Sequence, residues 1–574
     1  MDFLDLENKL KKVLSVTLTD SAGLMFFGTN KYADLSTNFL FLIRKLRTVK
    51  DDEVLDGIRA SVEQDDELKE SISSITILKN GFVNFSVSNK FLENGMNGLL
   101  KSGGKPIFDN KSEKVNVEFV SANPTGPLHY GNARSVYGDA LANVLKLAGY
   151  DVTKEYYVND AGNQINVLAD SVFSKYLELQ NLKPLELTES YQGEYITDIA
   201  QEILNKDFDK WNSIDYRDYF KKFSVECVIK LIKEDLAFIG IKHDVWVFET
   251  SIVEFVPHAL RVLENKHLIA KGKLGKIQSD KGLESNEDLL LFLGSKLGDE
   301  DRALTKPDGS YTYFANDIGY FYNKLDRGFK WLIVILGADH DGYIKRLYNA
   351  VTQLKDDIRM DIKTCQVVLF QKNGENIRFS KRLGNALSLR EAVESIGFSV
   401  SDFIDSNSSV NTDSTDYNTG KDIFRFMMLN KSLDTHYTVN ADKLTEFSME
   451  NPFYYLQYAH ARISSLVNST DISQQINLDS LTDSMIELLK LLLNWRKCIE
   501  SVVRTLEVHK VIHFLLDVAE QFHAIWNEGK IDKSKKWIVD NLQTTHDRVA
   551  FASIVGKMIK EGLNVLGIDA YDRL

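Results

Sequence analysis

Cysteine is scarce: the 574 residues hold three, Cys227, Cys365 and Cys498, far apart in the chain and never paired as CxxC. That argues against a disulfide framework and a zinc site of the usual spacing, and the three are expected to be buried apolar fillers. No apolar run reaches the ~20 residues of a membrane span; the longest, such as Trp331 to Leu336, have the length of a buried strand. Positive charge also falls short, with a net charge of −13 at pH 7. A general nucleic-acid binder draws its affinity from phosphate neutralisation, so any RNA contact here must come from local basic patches. The first residues, Met1-Asp2-Phe3-Leu4-Asp5, are acidic and lack a basic n-region, so no signal peptide is expected and a cytoplasmic protein follows. What remains is ordinary: 44% hydrophobic and 26% charged residues, the soluble globular range, in a chain long enough for about three or four domains.

The most informative stretch runs from Val117 to Gly149. Val117-Glu118-Phe119-Val120 predicts a strand. Ser121 to Gly131 is rich in turn residues, and from Arg134 the apolar residues Val136, Ala140, Leu141, Val144 and Leu145 recur at helical spacing. Strand, glycine-bearing turn and helix start in that order present backbone N–H groups and a helix dipole to an anion such as phosphate. The glycines follow neither GxGxxG nor GxxxxGK[ST], so this is neither a dinucleotide fingerprint nor a P-loop. His129-Tyr130-Gly131-Asn132 resembles instead the HIGH signature of class I aminoacyl-tRNA synthetases, and Ser121-Ala122-Asn123-Pro124-Thr125-Gly126-Pro127 before it is similar to the arginyl-tRNA synthetase form. Asn132 departs from that family, which usually has a second histidine there. The four residues alone read equally well as an ordinary βα turn; the residues before them decide.

Residues 1–112 read as a small separate α/β domain. Leu6, Leu10, Val13 and Leu14 share a helical face, Leu40, Leu42, Ile43 and Leu46 suggest a second helix, and Ile75 to Val87 reads as two strands around Asn80-Gly81. Ala33 to Asn38 and Gly81 to Phe85 resemble landmarks of the additional N-terminal domain of arginyl-tRNA synthetases. Residues 113–395 read as the catalytic domain. In it, Tyr150 to Gln164 is a tyrosine-rich strand running into a polar turn, as in the family, and turns at the carboxyl ends of parallel strands line the ligand crevice; Asn159, Asp160 and Gln164 are therefore candidates. From about 165 to 304 the pattern is helical and charged, with Tyr216 to Gly240 a long amphipathic stretch, and looks like an insertion. His243, Asp244 and Glu249 are scattered within it and read as surface or core-edge residues.

Tyr313 and Asp317 form the Tyr-x-x-x-Asp element that matches the position where arginyl-tRNA synthetases recognise the guanidinium of the amino acid. The chemistry suits it, because a planar cation with a fixed fork of donors is best held by a carboxylate accepting two parallel hydrogen bonds. The alternative for Asp317 is a helix cap. Lys330 to Leu336 reads as a buried strand and Gly337 to Tyr343 as its turn; by resemblance Asp339 and His340 lie near the adenosine or amino-acid end of the pocket. Arg378-Phe379-Ser380-Lys381-Arg382 stands where the family has KMSKS, with Arg378 for the first lysine and Phe379 for the methionine.

Residues 396–442 read as a connection, with Asp402 to Gly420 a flexible polar insert. Residues 443–574 are almost wholly helical in pattern. Asn451 to Ile463 resembles the start of the helical anticodon-binding domain of arginyl-tRNA synthetases; its aromatics can stack on unpaired bases, although such a stripe is more often core, so about half are expected to be buried. Tyr458, His460, Arg462, Arg496 and Arg504 are the tRNA-binding candidates, the arginines as phosphate contacts.

The resemblance implies an α/β plus all-α protein: a doubly wound parallel-sheet nucleotide-binding catalytic domain, a small α/β N-terminal domain and a helical C-terminal domain. It further implies activation of L-arginine with ATP, Mg²⁺ arriving with the nucleotide, then transfer to tRNA(Arg), with tRNA needed for the first step. His129, Asn132, Ser380 and Lys381 would be catalytic; Gly131 and Arg378 would join them around ATP; Glu118, Asn123, His129, Tyr313, Asp317 and Asp339 would hold arginine. No structural metal, no membrane and a monomer are expected. Two other classes remain open: a small-molecule nucleotidyltransferase, which would have no use for so large a helical C-terminal domain, and a non-catalytic RNA-binding relative, favoured only by the substitutions at Asn132, Arg378 and Phe379.

Overall fold

The structure, a computed structural model, describes all residues except 19–24, 31–32, 47–48, 274–287, 338–340, 367, 373, 377–387, 396–414, 441–445 and 447. Its frame is a five-stranded parallel sheet of β1 (Lys114–Glu118), β2 (Asp151–Val158), β3 (Val245–Phe248), β4 (Trp331–Gly337) and β5 (Arg359–Cys365), in spatial order β5-β4-β1-β2-β3. Helices cover both faces, so β4 is a continuous apolar run, with Trp331 to Val334 all buried. From β1 the chain builds the sheet outward through β2 and β3, then crosses back to add β4 and β5 on the other side. Strand order therefore reverses between β1 and β4, and a ligand crevice is expected outside the carboxyl ends there. This is the doubly wound sheet that the sequence implied.

Local chemistry moves several boundaries. β1 stops at Glu118, two residues before the expected end, because Val120 and Ser121 take φ of +74° and +40°, left-handed backbone that cannot continue a ladder and that a β-branched residue adopts only when its surroundings hold it there. A 3-10 turn, Tyr130–Ser135, precedes α1 (Val136–Leu147), whose Val136, Ala140, Leu141, Val144 and Leu145 are all buried. The stretch 165–304 is helical over Glu194–Asp207 and Arg217–Phe238, yet it also contributes β3 to the central sheet and a three-stranded antiparallel sheet of Ile269–Gly272, Leu289–Phe292 and Arg302–Ala303. At four residues, Val245–Phe248 is too short for its pattern to stand out. Of the expected polar insert, 402–414 lies outside the described residues and the remainder begins the helix Thr415–Leu429. The three cysteines are free and only partly buried, not the fully buried fillers expected.

These elements belong to one compact unit, Asn110–Glu446 with Leu566–Ile568; the other comprises Met1–Asp109, Phe447–Val565 and Asp569–Leu574. In the latter, an antiparallel four-stranded sheet has the spatial order Phe27–Asn30, Ala33–Thr37, Val83–Val87, Ile72–Ile77. The helix Phe3–Leu18 buries Leu6, Leu10 and Leu14, as their spacing predicts. The helices of the C-terminal stretch pack in the same unit: a Cβ at Gly95 would lie 2.7 Å from Leu493 Cδ2, and Phe3 N–H donates to the Leu493 carbonyl at 3.3 Å. Among the described residues no helix is long and apolar enough to cross a membrane.

Gly138 on α1 is the tightest packing point beside β1: an added Cβ would meet Phe119 atoms at 2.3 to 2.7 Å. Alanine gains up to about 1 kcal/mol in helix propensity, but overpacking of a filled core costs about 1–3 kcal/mol. Gly138→Ala is therefore expected to lower the urea unfolding midpoint, and an unchanged or raised midpoint would show that Phe119 can move aside.

Candidate active site

Three adjacent strands deliver acid or amide groups to the same edge of the sheet. Glu118 is the last residue of β1, Asn159 and Asp160 follow β2 directly, and Glu249 follows β3. Above them runs α2 (Tyr313–Asp326), on which Tyr313, Asp317, Tyr320 and Lys324 lie three or four residues apart and so share one face. The N-cap of α2 is Thr312, whose side chain accepts the Ala315 N–H, so Asp317 is not a cap.

A buried charge network supports this face. Lys324, fully buried, donates to Glu118 Oε2 at 2.5 Å and lies 3.8 Å from Glu155 Oε1. Glu155, also fully buried, accepts from Tyr320 Oη at 2.7 Å and Asn116 Nδ2 at 3.0 Å, and pairs with Arg327 at 2.7 Å. Glu118 accepts a second bond from Ser121 Oγ at 3.1 Å, and Ser121 Oγ takes the Tyr157 N–H at 3.1 Å. Breaking one such pair would strand a buried charge, at about 3–5 kcal/mol. The carboxylate of Glu118, expected to hold arginine, is thus already engaged by Lys324 and Ser121.

Further out, negative charge exceeds positive. Burial, reinforced by Glu118 and Glu249, pushes the Asp317 carboxyl up to about 7, against the opposing donation of the Tyr343 hydroxyl from α3 (Asp341–Val351). The Glu249 carboxyl is raised too, chiefly by burial and further by Asp160, although Asn316 Nδ2 donates to it at 3.2 Å. Burial, then Glu249, Asp317, Glu118 and Asp160, raise the Tyr157 hydroxyl out of reach of ionisation. Asp160 is held by Thr250 through N–H and Oγ1 at 3.0 and 2.7 Å. Asn159 faces two acceptors, Glu249 Oε2 at 2.6 Å and the Ala161 carbonyl at 3.0 Å, so its amide nitrogen must point to them. Tyr313 is 68% exposed, its hydroxyl 3.5 Å from where a Cβ on Gly162 would sit. Asn123 and Gln164 share a 2.8 Å hydrogen bond.

Glu249 is the residue that sequence reasoning missed. It read as scattered because its partners, Asn159, Asn316 and Asp160, come from elements far apart in the chain. The one available signal was its place directly after a short β-branched and aromatic run. Its companion His243 is buried between Phe119 and Tyr156, ring centroids at 4.3 and 5.3 Å, and burial depresses its imidazole to about 4; it belongs to the core.

At the signature turn, His129 caps the 3-10 helix: its Nδ1 accepts the Gly131 N–H at 2.9 Å. In the neutral ring this leaves the proton on Nε2. A Cβ at Gly131 would lie 2.5 Å from His129 Cε1, so glycine is required there by the histidine ring itself. Asn132 N–H donates to the His129 carbonyl at 2.8 Å, and its Oδ1 is buried without a partner. Asp339, Arg378, Ser380 and Lys381 lie outside the described residues.

In the other unit, Tyr458, Arg462, His460, Arg496 and Arg504 separate into two kinds. Arg462 stacks over the Tyr458 ring at 4.0 Å and donates to its hydroxyl at 3.0 Å, and Arg504 is exposed. His460 is 4% exposed, bonded through Nδ1 to the Tyr571 carbonyl at 2.9 Å, with its pKa lowered by burial; it sits in the core and not on an RNA-facing surface. Arg496 pairs with Asp5 and, at 3.6 Å, with Asp2, so its charge is already taken. Of the aromatics, Phe453 is buried while Tyr454, Tyr455 and Tyr458 are partly exposed. Among the described residues no group of three or more His, Cys, Asp and Glu is placed to hold a metal ion.

A doubly wound sheet, a histidine-glycine turn at its switch point and a helical C-terminal stretch together define a class I aminoacyl-tRNA synthetase. Residues 96–408 match the family model for the catalytic domain of tRNA synthetases class I (R), and residues 456–574 that for the DALR anticodon binding domain. The chain is 36% identical over 568 residues to the arginine–tRNA ligase of Rickettsia bellii (strain OSU 85-389), covering 94% of this chain and 93% of that one. With the arginine–tRNA ligase of Ehrlichia ruminantium (strain Welgevonden) the identity is 37% over 555 residues, covering 94% and 91%. The arginyl-tRNA synthetase structure from Thermus thermophilus shares the fold at a TM-score of 0.71 and 18% identity, over 99% of this chain and 100% of that one. The chain belongs to the arginyl-tRNA synthetase family.

The raised Asp317 carboxyl has a sign that can be checked. Its folded pKa of about 7 lies above the ordinary 3.8, so the folded state holds more protons between these values and ligand-free stability falls as pH rises through that window. Asp317→Asn mimics the neutral form. Its melting temperature is expected to rise increasingly above the parent's as pH climbs from about 4.5 to 7 and to keep that margin above 7; a margin that does not grow across that range would show an ordinary carboxylate.

Proposed function

We propose that the pocket bounded by Asp317, Glu249, Asp160, Glu118 and Tyr157 receives the arginine guanidinium while the His129 turn receives ATP. The chain is an ATP-dependent arginine–tRNA ligase: it activates L-arginine to arginyl-adenylate with release of pyrophosphate, then transfers arginine to tRNA(Arg). The observation that carries the substrate assignment is the excess of carboxylate around Tyr157 at a buried site, where burial first, and then Glu118 and Glu249, raise Asp317 to about 7, a state that a cation would relieve. A guanidinium brings the missing charge and a fork of donors that two carboxylate oxygens can match.

The chemistry is in-line attack of the arginine carboxylate on the α-phosphate, so catalysis rests on positioning and on stabilising the charge that moves to pyrophosphate. His129 Nε2–H would donate to phosphate, since Gly131 fixes the tautomer, and Asn132 would stand beside it. Ser380, Lys381 and Arg378 would hold the leaving pyrophosphate. Asn123, Tyr313 and Asp339 would complete the arginine site, and Glu118 would act through the field it shares with Lys324. Mg²⁺ would enter with the ATP. Tyr458, Arg462 and Arg504 would meet the tRNA through stacking and phosphate contacts. The working divisions are residues 1–112, 113–395, 396–442 and 443–574, in a cytoplasmic monomer whose first step needs bound tRNA.

The reading requires pyrophosphate exchange into ATP that depends on both arginine and tRNA(Arg), and absence of that exchange would sink it. Asp317→Ala is expected to abolish exchange while tRNA affinity stays within about twofold of the parent; equal loss of both would make Asp317 structural. Since arginine must displace the proton on Asp317, its affinity should fall by up to about tenfold per pH unit below 7, measured by calorimetry, with a flat profile between pH 6 and 8 counting against the pairing.

A further inference from the structure

Leu128, the residue before His129, has both of its backbone groups committed to distant parts of the chain. Its N–H donates to Asp235 Oδ2 at 2.8 Å, and its carbonyl accepts the Leu389 N–H at 2.8 Å. His129 and Ser388 form an isolated antiparallel bridge beside it. Asp235, 3% exposed on the helix Arg217–Phe238, gives its second oxygen to Arg390 Nε at 2.6 Å. Arg390 belongs to the short helix Leu389–Ser395, whose start is fixed by Ser388 and Glu391: Ser388 N–H donates to Glu391 Oε2 at 2.6 Å, and Glu391 N–H donates to Ser388 Oγ at 3.1 Å. Leu128 and Leu389 are both buried.

We infer that Asp235 and Arg390 are positioning residues for adenylate formation, a clamp that sets the backbone on which His129 stands and joins it to Ser388 and the helix Leu389–Ser395. One carboxylate serves both sides, one oxygen for the Leu128 N–H and one for the guanidinium, so a shift of Arg390 strands the buried charge of Asp235 and a shift of Leu128 costs that carboxylate a donor. The other charged group facing the pair is Glu234, 3.6 Å from Arg390 Nη2, which adds attraction from solvent-accessible ground. The carboxylate pocket around Asp317 lies on β1 to β3 and α2 and shares none of these contacts. The clamp therefore acts on ATP and not on arginine. It rests on the assignment of His129 to ATP.

Exchange kinetics of the full chain test it. Asp235→Asn keeps an acceptor for Leu128 but turns an amide donor or a neutral oxygen to Arg390, and Arg390→Gln removes the charge at a position partly open to solvent. Each is expected to raise the KM for ATP and lower kcat by about ten- to a hundredfold together, as a displacement near 1 Å would, while the KM for arginine stays within about twofold. Arg390→Lys should recover part of the loss, and the double variant should be little worse than the poorer single one, since the two act as a unit. ATP parameters within about twofold of the parent in Arg390→Gln, or an arginine KM raised as much as the ATP KM, would overturn the clamp. If Asp235→Asn does not fold, the two Arg390 variants decide alone. A parent with no arginine-dependent exchange would overturn the functional reading instead, which keeps the two failures apart.

Discussion

The ammonium of Lys324, sealed between the carboxylates of Glu118 and Glu155, is the contact on which the catalytic unit depends. It joins α2 to the adjacent strands β1 and β2 at a point from which water is excluded. A buried ion of this kind loses several kcal/mol of hydration, and here the loss is offset by a connected set of partners: Tyr320, Asn116 and Arg327 on Glu155, and Ser121 on Glu118. The network is satisfied only with α2 in one register. A step of one residue along the helix would turn Lys324 by about 100° away from its acceptors. The position of Asp317, two turns earlier on the same face, follows from that register.

The second consequence is electrical. Lys324 and Arg327 account for the inner carboxylates, and no cation among the described residues is paired with Asp317 or Glu249. Among the described residues, the site therefore holds more carboxylate than cation. A ligand that supplies a cation at this depth gains a strong interaction in low dielectric, and a neutral one leaves the carboxyl either protonated or unpaired. On the proposed reading, selectivity for arginine lies in the positive charge that the guanidinium brings. On the nucleotide side the logic differs, because backbone geometry is held there by neighbours: the His129 ring occupies the space above Gly131, and Leu128 is tied at both ends.

Much of this was legible in the chain. The strand-turn-helix at Val117 to Gly149 and the buried strand at Trp331 could be read because each is a local pattern of alternation, turn residues or helical spacing, while the Tyr313/Asp317 pair was legible only through its resemblance to the family's Tyr-x-x-x-Asp element. The parts that were not legible are non-local. Glu249 gains meaning only from Asn159, Asn316 and Asp160; Lys324 looks like one more helix lysine until Glu118 and Glu155 close on it. His460 and Arg496 read as RNA contacts because a basic or aromatic side chain on a helix gives no sign of whether its partner is solvent or another residue, here Tyr571 and Asp5. The early end of β1 at Glu118 is of the same kind, since nothing in Val120 itself announces a positive φ.

The central claim is that a guanidinium completes the charge of this pocket, and citrulline, which keeps the shape of arginine but is neutral, tests it most directly. Calorimetric titration of the ligand-free chain near pH 7, in buffers of different protonation enthalpy, would read affinity and proton release together. Arginine is expected to bind at least about a hundredfold more tightly than citrulline, as a buried carboxylate left unpaired requires, and to release a proton that citrulline does not. Comparable affinities without proton release on either would contradict the account.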